Sequence, residues 1–158
     1  MIDDWYLVKC PAVDERQQSY CGDTIRILTR ATEVIVTSYV ACISERRWHV
    51  VPLFFARDTN WWINENPARV PQAADGTAAE RLPDTQSLLG RFDTYSFEVL
   101  RLVAKRNRTD VEVMATEKGS LDLVYINNVT MTFLVVGEGR IETLREYPEY
   151  NELNWVLE

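Results

Sequence analysis

Between Thr24 and Ser44 apolar residues recur at helical spacing (Ile25, Leu28, Ala31, Ile35, Tyr39, Cys42), which predicts a long amphipathic helix. Its β-branched content is high, so the spacing and not propensity carries the assignment. Asp23 stands where a carboxylate can accept from the orphan N–H groups of the first turn, and Gly22 is expected to stop a shorter helix opened by Pro11. A second, short helix is expected within Glu45 to Arg57, with Pro52 in its first turn or at a kink. The polar turn Arg57–Asn60 then leads into a strand, Trp61-Trp62-Ile63, broken at Asn64-Glu65-Asn66-Pro67. A third short helix falls within Thr77 to Gly90. From there the texture alternates. Thr94–Lys105, Asp110–Lys118, Leu121–Val136 and Arg140–Tyr147 read as strands, divided by turn-rich Arg106–Thr109, Gly119–Ser120 and Gly137–Gly139. Helices first and a meander after them predict an α+β fold: a curved antiparallel sheet with about three helices packed on one face.

Composition narrows the function classes. The 158 residues suit one domain with one sizeable core, expected over 23–158 behind an extension at 1–22. A formal net charge of -7 argues against a phosphate-binding surface and so against a nucleic-acid partner. The short basic run Arg106–Asp110 reads as a solvated hairpin turn. Cys10, Cys21 and Cys42 make an odd count without a C-x-x-C pair, which fits reduced thiols in the cytosol. The acidic start lacks a signal-peptide core, and no apolar run is expected to span a membrane. One histidine and no clustered cysteines leave a weak case for metal. No G-x-G-x-x-G, P-loop or nucleophile-elbow pattern is present, so a cofactor-free site is expected.

Three motifs carry a resemblance from Thr24 to the C-terminus: YVACIS late in the first helix, LFFARDTNWWI at the helix-to-strand junction, and GEGRIETLREYPE over the last hairpin. In this order they resemble the nuclear-transport-factor-like cone superfamily, which holds ketosteroid isomerase, the SnoaL-type polyketide cyclases and scytalone dehydratase. The glycine-rich turn followed by R-I-x-x-L-R-E-Y is most similar to the SnoaL-like branch, with its small isomerases and cyclases of fungal polyketide and meroterpenoid pathways. The resemblance implies a cone-shaped α+β fold whose curved sheet and helices enclose an apolar pocket, and a homodimer formed through the outer sheet face.

Candidate site residues follow. The resemblance puts Tyr39 at the helical oxyanion-stabilising tyrosine of the isomerase; the residue alone also fits a core position. The isomerase's base aspartate falls at Ile63, or with one residue of slip at Trp62 or Asn64, and none of these is an acid. Its second acid falls near Val129, again not an acid. Alternation on the long strand sets Tyr125, Asn127, Met131 and Phe133 on one face, with Asn127 able to orient a carbonyl. On the last strand alternation groups Glu142, Leu144 and Glu146, and the resemblance turns Glu146 inward, where an apolar pocket would raise its pKa. A structural ion pair with Arg81 or Arg101 is the other reading of Glu146, and Glu149 is the alternative base. His49 is the sole histidine and the natural proton shuttle if it reaches the pocket mouth. Trp61 and Trp62 point to opposite faces of their strand, and both are wall candidates with Asn64. The function implied is a cofactor-independent isomerase or cyclase acting by acid–base chemistry on an apolar, oxygenated polycyclic or polyketide-derived molecule. A dehydratase, an epoxide hydrolase or a binding domain of the same fold are the alternatives.

Overall fold

The computed structural model describes residues 15–68, 70, 73–119 and 123–148. Helix α1 (Glu15–Ser44) is followed by a single 3-10 turn (Val51–Phe54) and strand β1 (Phe55–Ile63). Helix α2 (Ala78–Leu89) precedes the strands β2 (Thr94–Lys105), β3 (Arg108–Lys118), β4 (Val124–Val136) and β5 (Arg140–Tyr147). The five strands form one curved sheet in the order β1-β5-β4-β3-β2.

The α+β class stands, with three corrections. Among the described residues there are two α-helices rather than three, because the segment after α1 makes only a 3-10 turn before the chain extends. The sheet is mixed: β1 pairs parallel with β5, while the other pairs are antiparallel. Helix α1 runs through Gly22 and Asp23 instead of starting there, and Asp23 accepts from Arg26 on the helix surface at 2.8 Å. A helical glycine costs only about 1 kcal/mol, which neighbouring turns and packing can offset. Gly22–Ser44 would also suit a membrane span by length and composition, contrary to the expectation above. However, its Val36, Tyr39, Val40 and Ile43 are buried in the core, as one stripe of a core helix is.

The core sits between α1 and one face of the sheet. Val111 and Val113 of β3, Phe133 of β4, Ile141 and Leu144 of β5 and Trp61 of β1 meet Val36 and Tyr39 of α1 there. Two irregularities aim side chains. In β1, register slips between Phe55 and Asn60, so the expected turn Arg57–Asn60 is a bulge within the strand. Thr59, buried at that bulge, donates to the Ile141 carbonyl at 2.6 Å and to Ala56 at 2.8 Å. In β5, register slips opposite Leu134 and Val135, so Ile141 and Leu144 both turn inward and Glu142 is exposed. The grouping of Glu142 with Leu144 and Glu146 by strict alternation therefore fails at this bulge.

Candidate active site

Beyond the bulge, alternation from Leu144 carries Glu146 to the interior face. In register Glu146 lies between Ile63 of β1 and Met131 of β4. Ile63, which is not an acid, thus has an acid directly opposite it on the neighbouring strand. Glu146 keeps some solvent access as a residue, yet its carboxyl end is enclosed densely enough that desolvation lifts its pKa from 4.5 to about 7. Trp61 and Arg81 act weakly in the other direction.

Tyr39 is fully buried on α1, and its ring is fixed edge-on by Phe55 and Phe133, with centroids 5.4 and 5.5 Å away. Burial, and then the nearby charge of Glu146, hold its phenol well above the usual tyrosine pKa. It is therefore a neutral hydroxyl donor throughout the physiological range. Phenol and carboxyl face one interior region from opposite walls, helix and sheet.

Two further donors border this region. Trp61 is 1% exposed and stacks on Phe55 at 5.5 Å. Its indole N–H is buried without a partner of hydrogen-bond geometry, although it lies close enough to Glu146 to lower the carboxyl's pKa. The indole N–H is thus an unfilled donor at the edge of this region. Arg81, from α2, is a buried cation. Its Nη2 donates to the carbonyls of Ala73, Ala74 and Asp75 at 3.2, 3.3 and 3.0 Å. The left-handed backbone of Ala74 (φ 63°) bends the chain so that these carbonyls converge. The Arg81 Nε–H is buried with no partner. Its charge reaches Glu146, but the two form no ion pair within 4.0 Å, and Arg101 is exposed. The ion-pair reading of Glu146 is set aside. Helix α2 presents Arg81 from its first turn, fixed by a capping box in which Thr77 and Glu80 satisfy each other's backbone N–H.

The other sequence candidates divide. Tyr125, Asn127, Met131 and Phe133 are all buried on the interior face of β4, as alternation requires. Trp62 is on the opposite face, where the Arg145 guanidinium lies 5.4 Å from its ring and Tyr147 meets it edge-on. It cannot line the interior. Asn64 is exposed at the end of β1, and its backbone N–H donates to the Glu146 carbonyl at 2.9 Å. His49 is exposed in the turn after α1 and contributes nothing to the pKa of Glu146 or Tyr39. Glu149 lies outside the described residues. Sequence reasoning considered Arg81 only as an ion-pair partner and missed Glu117, a buried acid on β3. The strict alternation of β3 did place Glu117 on the same face as Val111, Val113 and Ala115, and that was the available signal.

No protein-family model matches the sequence, and no curated protein matches it significantly. Solved structures do. An NTF2-like protein from Burkholderia xenovorans LB400 superposes with a TM-score of 0.61 at 16% identity, covering 82% of this chain and 98% of that one. PrhC from Penicillium brasilianum gives a TM-score of 0.69 at 7% identity, over 82% of this chain and 87% of that one. An LEH-like epoxide hydrolase of M. tuberculosis gives 0.61 at 18% identity, over 82% and 90%. The fold of this chain is the NTF2-like, ketosteroid-isomerase-like fold.

Proposed function

We propose that this chain is a cofactor-independent isomerase or cyclase that uses Glu146 as general base and Tyr39 as hydrogen-bond donor to a carbonyl or enol oxygen. The observation that carries the reading is a desolvated carboxyl without an ion-pair partner, facing a neutral buried phenol. A carboxyl with a pKa near 7 is matched to removing a proton next to a ketone at neutral pH. Tyr39 donates to the oxygen on which charge develops, and it needs no reorganisation because its ring is already fixed. The free N–H groups of Trp61 and Arg81 offer further donors to the same oxygen or to a carbonyl beside it. Met131 and Phe133 supply apolar wall, and Asn127 an orienting amide. The substrate is therefore an apolar, oxygenated polycycle or polyketide-derived molecule.

The fold neighbour described as an epoxide hydrolase supports a second reading. In it Glu146 activates water and Tyr39 donates to the opening ring oxygen. We further place the protein in the cytosol, where Cys42 remains the buried free thiol found here, and assign it a homodimer.

The test is deuterium exchange at the carbon next to the ketone of polycyclic enones in D2O, followed by NMR. Wild-type protein is expected to accelerate exchange. Glu146→Gln should lose about 10²–10⁴-fold of it, and Tyr39→Phe about 10²–10³-fold, with circular dichroism unchanged. Wild-type rates in both variants would overturn the assignment. Exchange absent in the wild type, with epoxide opening present, would select the second reading.

A further inference from the structure

Six residues along β4 from Met131, away from Glu146, the interior face of the sheet turns polar a second time. Tyr95 of β2, Glu117 of β3 and Tyr125 of β4 are directly opposed in register, so their side chains leave one face within cross-strand contact. Tyr95 is 8% exposed and Glu117 7%. The next rung is Phe97, Ala115 and Asn127, and the one after it is Val99, Val113 and Val129. The face therefore runs from the acid Glu146 through an apolar middle to a second acid. The step from Met131 to Tyr125 is roughly 20 Å of strand, shortened across the interior by the curvature of the sheet.

Two groups on the polar rung have no structural use. The Glu117 carboxyl makes no hydrogen bond or ion pair among the described residues, and desolvation alone lifts its pKa to about 7. The Tyr95 hydroxyl is buried without a hydrogen-bond partner. Trp48 lies near enough to influence that phenol but does not meet hydrogen-bond geometry. Yet the Tyr95 ring is held in place. The Arg46 guanidinium sits 4.6 Å from its centroid, and Phe97 meets it edge-on at 5.9 Å. Arg46 itself occupies the left-handed position after α1 (φ 58°), where glycine is favoured. Its side chain also donates to the Asp93 carbonyl at 3.0 Å. A buried carboxyl and a buried hydroxyl without partners lower stability, and apolar side chains would raise it. A ligand that brings the missing acceptor accounts for both.

We propose that Tyr95 and Glu117 form a second polar subsite that receives a carbonyl oxygen at the far end of an elongated apolar ligand whose near end lies at Glu146. A phenol and a protonated carboxyl are both donors, and a ketone is an acceptor only. The subsite rests on the reading of the Glu146–Tyr39 region as a substrate site, and it specifies that substrate as oxygenated at both ends.

The experiment measures tryptophan fluorescence titrations at pH 6, where Glu117 carries its proton, with two steroid probes. One has a ketone at each end of the tetracycle; the other is the same skeleton with a single ketone. The wild type is expected to bind the diketone about tenfold more tightly. Glu117→Leu should bring the two affinities within about twofold without weakening the single-ketone probe, and should raise Tm. Glu146→Gln should retain a preference for the diketone. Equal wild-type affinities, or an undiminished ratio in Glu117→Leu, overturn the subsite and leave the Glu146 assignment to its exchange assay. Binding of neither probe overturns the ligand class and the subsite with it.

Discussion

Glu146 carries a testable conflict between stability and chemistry. A carboxyl whose folded pKa lies above its unfolded value holds its proton more tightly in the native state, and it destabilises the fold once it must ionise. Below about pH 4.5 both states are protonated and the effect is nil. Stability then declines as pH rises towards 7, and above that the full penalty of about 3 kcal/mol remains. Glu117 adds to the same window. Thermal melts should therefore show Glu146→Gln more stable than wild type at pH 8 and indistinguishable from it at pH 4. The exchange rate should move the opposite way, rising through about pH 7 as the base ionises and levelling above it. Arg81→Met removes a charge that lowers this pKa, so its pH–rate profile should shift to higher pH. A profile unmoved in Arg81→Met would detach the guanidinium from the site. Of these residues, Tyr39 was legible as a position on the helix stripe, while its role and the inward turn of Glu146 came from the resemblance, since alternation alone grouped Glu146 with the exposed Glu142. The environment of Arg81 was not legible. Its partners are backbone carbonyls of the 73–75 loop, and main-chain acceptors leave no residue-type signature.

At the scale of elements, strand alternation gave faces wherever no bulge intervened, but not neighbours. The opposite orientations of Trp61 and Trp62 were readable from a period of two. That β1 joins the sheet parallel to β5 was not, because pairing partners depend on chain reversal and packing, not on local pattern. Bulges are invisible for the same reason, which is why Glu142 was assigned to the wrong face. Helix α2 was legible as Thr77 to Gly90, and its cap now has a functional consequence. Thr77 and Glu80 fix the first turn, and Arg81 follows at once. Thr77→Ala should lower stability by about 1 kcal/mol, read as a fall in Tm. Gly76 is a sharper probe. A Cβ there would come within 2.6 Å of the Arg81 guanidinium, which must then shift. Gly76→Ala should therefore reproduce the pH shift of Arg81→Met, whereas Thr77→Ala should not. Identical pH profiles for wild type and Gly76→Ala would show that the loop does not position the guanidinium.

For the whole molecule, one face of the sheet is committed to the core and the other remains to be accounted for. On that outer face Val124 and Ile126 of β4 are 54% and 60% exposed, with Leu100 and Val103 of β2 also open. Between them β3 presents Glu112, Met114 and Thr116, half-buried, and β5 adds Arg145 and Tyr147. A monomer has little reason to leave β-branched and leucine side chains across a broad sheet face, and such patches mark association surfaces. The mixture of apolar and charged groups suits a self-complementary interface, in which each copy offers the same patch about a two-fold axis. The proposed homodimer would use this face and leave the interior with Tyr39 and Glu146 free in both copies. Sedimentation velocity at micromolar concentration should then give a dimer for the wild type. Ile126→Lys, placed where the partner's identical patch would meet it, should shift the population to monomer while leaving the far-ultraviolet spectrum unchanged. Leu53→Lys, equally exposed but on the 3-10 turn, serves as control and should leave the dimer intact. A wild-type monomer at every concentration, or a dimer indifferent to Ile126→Lys, would remove the outer face as the interface.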